Sequence, residues 1–312
     1  MRRLLFIILI VLLSACSSVE TTQTEDVFSV GLLLSDSGLG DGSFNDSAFR
    51  GLEKTRDELG IIFDYREPVD QNFNGKLEEL IKDDHDLVIG IGFTAAPAVN
   101  ELADKYPKQQ FALVDAVSDK KNVISITFKE EEGSYLIGLI AGLKTKTNVV
   151  GFIGGEDVPL IHNFEQGFKD GVKAVNKDAT VLTEYAGTFG DDQIGAKIAS
   201  KQIEKDADFI FPAAGFTGIG VLKEAQKEGI YAFGVDSDQF YIAEKAVVTS
   251  MLKNVDVALY DVVKKLINEE GLTGEQLELG VKDNGIDLTP IRLIQLSNKE
   301  QSIIDKAMDK GE

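Results

Sequence analysis

The sequence repeats itself at the scale of a domain, and that repetition limits the fold more than any motif does. Short apolar, β-branched runs at 30–34, 61–65, 87–91, 111–114 and 123–128 alternate with helix-like stretches. The same order begins again at 149–153, 180–185, 208–211 and 230–235, an offset of about 120 residues. VGLLLSD from Val30 returns as VGFIGGE from Val150, Phe44 and Gly51 as Phe164 and Gly171, and FALVD ending at Asp115 as YAFGVD ending at Asp236. A period of that length is a lobe, far above a solenoid repeat. Alternating strand and helix predicts parallel sheets covered on both faces, so the expected fold is α/β with two doubly wound parallel-sheet lobes.

Segments are left over once both series are counted: TSMLKNVD from Thr249, an amphipathic stretch 255–267, a short run 277–281, a turn at 283–285 and a helix from Asn298. They predict a chain that crosses between the lobes more than once, near 124–127, 250–253 and 279–282. Such crossings make a multi-strand hinge with a cleft lined by strand ends of both lobes. The resulting division is 27–125 with 253–276 for the first lobe and 126–252 with 277–312 for the second.

The segment before residue 27 reads as export signal and anchor. MRRLLFIILIVLLSACSS is a basic start, an apolar run and a small-residue cleavage site, assigned to 1–15. The sole cysteine, Cys16, stands at that cut, as in a lipobox, where it would become the lipid-modified first residue of the mature chain. Residues 16–26 then form a polar tether, which places the protein at the extracytoplasmic face of a cell membrane. With no second cysteine there is no intramolecular disulfide. A formal net charge of −20 argues against nucleic acid or anionic lipid as partners of the folded body.

The first βα loop is the richest stretch for a ligand. Ser43 is placed to cap the following helix, with Asp46 three residues on in the manner of a capping box, and Gly60 supplies a stop. Gly38, Gly40 and Gly42 do not have dinucleotide spacing, and Asp41 and Asp46 would repel a pyrophosphate. An uncharged polar ligand fits better, with Asp41 a candidate wall residue. Phe44 and Asn45 offer a flat apolar face beside a paired donor and acceptor, which suits a nucleobase; Phe44 reads equally as a staple residue of the core.

GDGSFNDSAFRGL, FALVD, EEGSYLIGLIAG from Glu131, VGFIGGEDVPLIHNFEQGFKDG from Val150, YAGTFGDD from Tyr185, GVDSDQ from Gly234 and TSMLKNVD from Thr249 run the length of the chain. In these residues it resembles the basic membrane protein family of bacterial lipoproteins, which includes the purine nucleoside receptor A type of ABC-transporter substrate-binding protein. The resemblance implies a type I periplasmic binding protein fold, a nucleoside held between two lobes, and delivery to a permease with a cytoplasmic ATPase. It implies that Phe44 and Phe189 sandwich the base, that Asp236 grips the ribose with Asp238 a weaker substitute, that Asp115 reads the base or its approach, and that Lys253 donates to ribose oxygens. Asn45 would read a base edge, and Gly215 would allow close backbone approach. For each aspartate, a helix cap is the bland alternative.

Nothing in the sequence supplies a nucleophile with a base or a metal cage, so neither a cofactor nor catalysis is expected. His85, in the charged run KDDHD, reads as solvated, and His162 as a cap or wall residue. A nucleoside hydrolase using Asp115 and Asp236 is the alternative from another class, and an adhesin or regulator on the same fold is a third. The folded body is expected to be monomeric.

Overall fold

The computed structural model describes residues 27–272 and 274–310. The proposed signal, Cys16 and the tether lie outside the described residues.

Each half of the repeat builds one sheet. In the first, β1 (Ser29–Leu33), β2 (Ile62–Arg66), β3 (Leu87–Ile91), β4 (Gln110–Val114) and β5 (Val123–Phe128) alternate with α1 (Phe44–Leu59), α2 (Phe73–Lys82) and α3 (Ala96–Lys105). The chain then enters α4 (Glu130–Lys144) and repeats the pattern through β6 (Val149–Gly154), α5 (Pro159–Val175), β7 (Thr180–Tyr185), α6 (Asp192–Ile203), β8 (Phe209–Ala213), α7 (Gly215–Glu228), β9 (Tyr231–Asp236) and β10 (Val247–Lys253). After α8 (Val255–Ile267) come β11 (Gln276–Leu279), β12 (Ile286–Leu288) and α9 (Asn298–Lys310).

The sheet orders are β2-β1-β3-β4-β5-β11 and β7-β6-β8-β9-β10-β12, the same winding twice. All pairings are parallel except β12, which runs antiparallel to β10. Parallel strands need helices on both faces, which is why the central strands are fully apolar. Every residue of β3 and β8 is buried. β2 and β7, at the edges, are exposed or half-buried and carry polar residues.

The duplicated glycines have matching duties. A Cβ on Gly51 of α1 would lie 2.6 Å from Cα of Asp256 in α8, and one on Gly171 of α5 would lie 2.1 Å from the Tyr135 carbonyl oxygen in α4. In both lobes the glycine lets two helix backbones meet on the sheet.

Among the described residues, three peptide segments pass between the sheets, after Phe128, Lys253 and Leu279. β5 and β11 stay in the first sheet to their last residues, since 276–279 pairs with 125–128 in parallel register. The crossings at β5 and β11 therefore fall about three residues beyond the division read from sequence, because a strand leaves a sheet where its ladder ends. The strand β12 was not expected: three residues after a turn are too short for a period to register.

Candidate functional site

The carboxyl ends of the two sheets face each other, and a cavity of about 680 Å³, open solvent at its mouth included, lies between them. In doubly wound sheets the loops leaving β1 and β3, where strand order reverses, frame the crevice. Here those loops supply Ser35, Asp36, Ser37, Asp41 and Phe44, then Gly92, Phe93 and Thr94. The second lobe answers with Leu160, Ile161 and Phe164 after β6 and Gly215 after β8, the equivalent positions, and adds Phe189 from the loop after β7 and Asp236 at the end of β9. Asp115 and Lys253 complete the wall.

The β1–α1 loop is folded by its own acids. Asp41 accepts from the backbone N–H groups of Ser43 (2.9 Å), Asn45 (2.9 Å) and Asp46 (3.2 Å), so it caps α1. Ser43, expected in that role, makes no side-chain cap bond; its hydroxyl donates instead to Asp236 Oδ2 of the other lobe. Asp46 reaches back to Gly40 N–H (2.8 Å) and Gly42 N–H (2.9 Å). Burial pushes the Asp41 carboxyl up and these hydrogen bonds pull it back, leaving it above its ordinary value.

Asn45 does not reach the cavity wall. Its Oδ1 accepts from Ser35 N–H at 2.8 Å, and its Nδ2 donates to Ser35 Oγ, Ser37 Oγ and Asp41 Oδ2, each at 2.9 Å. Fully buried with donor and acceptor committed, it shapes the loop and has no edge left for a base. Asp238 is likewise elsewhere, in a two-pronged ion pair with Arg292 at 2.9 and 2.8 Å. It therefore cannot stand in for Asp236.

Phe44 and Phe189 enter the same cavity from opposite lobes. Phe189 packs close against Gly155, where a Cβ would come within 2.3 Å of the ring, and meets Phe93 edge-on at 6.3 Å. Gly215, at φ +53°, opens α7 beside Phe189. Phe93 was missed in sequence, although a glycine and an aromatic after the third strand, at the reversal of strand order, are a usable signal.

Asp115 and Asp236 hold matching positions after β4 and at the end of β9, both in left-handed backbone conformation, φ +66° and +64°. Lys253, the last residue of β10, is buried between them. Its Nζ lies 2.6 and 2.7 Å from the Asp115 oxygens and 2.9 Å from Glu130 Oε1. The rings of Phe128, Phe44 and Phe164 surround the ammonium at 5.1, 5.3 and 5.7 Å. Burial alone would lower this lysine, but Asp115, Glu130 and Asp236 outweigh it and hold the group well above its usual value. The carboxylates shift upward as well, but there burial wins: it drives Asp236 up to about 6 against the pull of Lys253 and Ser43, and Glu130 up to about 7 against that of Lys253. Glu130 was missed because it heads an acidic run, EEE, that reads as a solvated helix start.

Neither histidine joins the site. His85 is buried, against expectation, wedged near Gly31 and Leu80, and burial lowers its imidazole. His162 pairs with Asp157 at 2.6 Å near the start of α5.

The lobes also touch around the mouth. Arg50 Nη2 donates to Ser237 Oγ at 2.7 Å, and Gln239 Nε2 to the Gly42 carbonyl at 3.2 Å. Two lobes on a three-segment hinge, in contact over a cavity between strand ends, define a ligand-capturing binding protein of the two-lobed α/β class.

The family is reached by comparison. Residues 28–311 match the family model described as "ABC transporter substrate-binding protein PnrA-like". The CD4+ T-cell-stimulating antigen of Listeria monocytogenes is 34% identical, over 95% of this chain and 93% of the relative. Basic membrane protein D of Borreliella burgdorferi is 30% identical, over 100% and 92%. Among solved structures, an ABC transporter solute-binding protein from Aeropyrum pernix superposes with a TM-score of 0.82 at 26% identity, covering 91% of this chain and 90% of that one. The chain belongs to the PnrA-like, or basic membrane protein, family of ABC-transporter substrate-binding proteins. Such proteins bind small ligands and work with a permease and its ATPase; the family is not an enzyme class. Among the described residues no helix is long and apolar enough to cross a membrane.

Proposed function

We propose that this protein captures nucleosides, purine nucleosides foremost, and delivers them to an ABC permease while anchored to the membrane through a lipid on Cys16. The observation that carries the reading is that Phe44 and Phe189 line one cavity from opposite lobes, with the Asp236 carboxylate and the Lys253 ammonium in the same wall. A base is a flat ring that stacks on aromatic faces at roughly 1–3 kcal/mol each, and ribose hydroxyls suit a carboxylate acceptor and an ammonium donor. Micromolar affinity requires only about 8 kcal/mol, within reach of two stacks and several cleft hydrogen bonds after the losses of closure.

The experiment is a thermal-shift screen of the mature domain against nucleosides, free bases, nucleotides and sugars, followed by calorimetry on the hits, because a ligand of the folded state raises its melting point. Nucleosides are expected to give the largest shifts, without release of free base on incubation. A sugar giving the largest shift, or turnover of inosine, overturns the reading. Asp236→Ala is expected to abolish the preference for nucleoside over free base; an unchanged ratio removes the ribose role.

A further inference from the structure

The acidic start of α4 grips two other hinge segments at once. Glu130 and Glu132 are buried while Glu131 between them is exposed. Glu132 Oε2 accepts from the Val281 N–H at 2.8 Å, just past the crossing out of β11. Glu130 Oε1 lies 2.9 Å from Nζ of Lys253, the last residue before the crossing out of β10. The two glutamates thus have the same kind of place in the chain, yet only Glu130 touches a residue of the cavity wall.

Lys253 needs such a partner. Its ammonium sits on a flexible four-carbon stem and does not aim itself, unlike a planar guanidinium. An ammonium has three N–H donors. Asp115, from the other lobe, accepts one at 2.7 Å, and Glu130 approaches from behind the wall as an ion pair. The second Asp115 oxygen lies nearer still, at 2.6 Å, so the two acids together hold the ammonium at the wall of the cavity that Lys253 lines. Without Glu130, the charge is free to swing towards Asp115 and Asp236 alone.

We propose that Glu130 is a positioning residue for ligand capture, aiming the Lys253 ammonium at the hydroxyl-bearing end of the ligand without touching the ligand itself. The inference rests on the nucleoside reading. It differs from a plain hinge staple in what it predicts: a staple supports every ligand equally, whereas an ammonium aimed at the 2′- and 3′-hydroxyls supports only ligands that carry them.

The test is calorimetry of wild type, Glu130→Gln, Lys253→Met, the double variant and Glu132→Gln with inosine and with 2′,3′-dideoxyinosine, each protein checked by thermal unfolding. Glu130→Gln is expected to weaken inosine by about tenfold or more and to leave dideoxyinosine within about twofold, as is Lys253→Met. The double variant is expected to be no weaker than Lys253→Met, since one route is being cut twice. Glu132→Gln, a staple only, is expected to affect both ligands alike. Where Glu130→Gln fails to fold, Glu130→Asp keeps the charge, shortens its reach and is expected to give the same selective loss. Equal weakening of both ligands by the Glu130 variants, or losses that multiply in the double variant, overturns the positioning role while leaving the nucleoside reading intact. Wild-type protein that binds neither compound overturns both.

Discussion

Single residues in the cleft carry two kinds of consequence. Phe44→Ala and Phe189→Ala are each expected to weaken nucleoside binding by roughly 1–3 kcal/mol without unfolding the protein, because each removes one stacking face of a partly exposed cavity ring. Wild-type affinity in both, by titration calorimetry, would remove the sandwich. Asp236 links the cleft to stability. Burial has raised its carboxyl from 3.8 to about 6. A raised carboxyl makes the folded state hold a proton that the unfolded chain releases, so its contribution is fully present below about pH 4 and lost as pH rises through about 6. The shift corresponds to about 3 kcal/mol. Asp236→Asn does not titrate, so its stability in urea is expected to fall less than wild type between pH 4 and 7; parallel profiles would refute the assignment. That Phe44, Asp115, Phe189, Asp236 and Lys253 line one cavity was legible, because ring, strand end and hinge each leave a local mark in the sequence, while their ligand roles came from the family resemblance. Asn45 was misplaced because composition shows what a side chain can bond, never what it has already bonded. Ser35, Ser37 and Asp41 take all that Asn45 offers.

At the scale of elements, the strands and helices follow the apolar periods closely, and the differences fall at ends. Ser43 has the chemistry of a cap and the position of one, but Asp41 folds over the helix start and frees the hydroxyl to bond across the lobes. That exchange depends on a contact almost two hundred residues away in sequence, which no local pattern records. The helix pairs make a sharper prediction. Gly171→Ala would press a methyl group into the Tyr135 carbonyl, a backbone atom that cannot turn aside. Forcing α4 and α5 apart is expected to lower stability by about 1–3 kcal/mol, read as a lower melting temperature. Gly229→Ala is a useful contrast, with nothing within 4 Å of the added carbon, so that its loss reflects only the left-handed φ of +73°. Equal losses at the two sites would mean that the helix approach is softer than the geometry says.

For the whole molecule, the duplication settled the architecture before any side chain was placed: two sheets of one winding order, joined where their last strands end. What sequence could not give is how the halves meet. The Arg50–Ser237 and Ser43–Asp236 contacts join surfaces that each lobe, alone, would show to water. The cavity they enclose has a lopsided electrical character. Its wall carries the carboxylates of Asp36, Asp41, Asp115 and Asp236 against one ammonium, already claimed by two acids. An arriving phosphate would find no vacant counter-ion and a ring of like sign, so inosine monophosphate is expected to bind at least about a hundredfold more weakly than inosine in calorimetry at low salt. Comparable affinities would show that the repulsion is screened. On the nucleoside reading proposed above, a wall of this sign disfavours charged relatives of the ligand and leaves neutral ones free to enter.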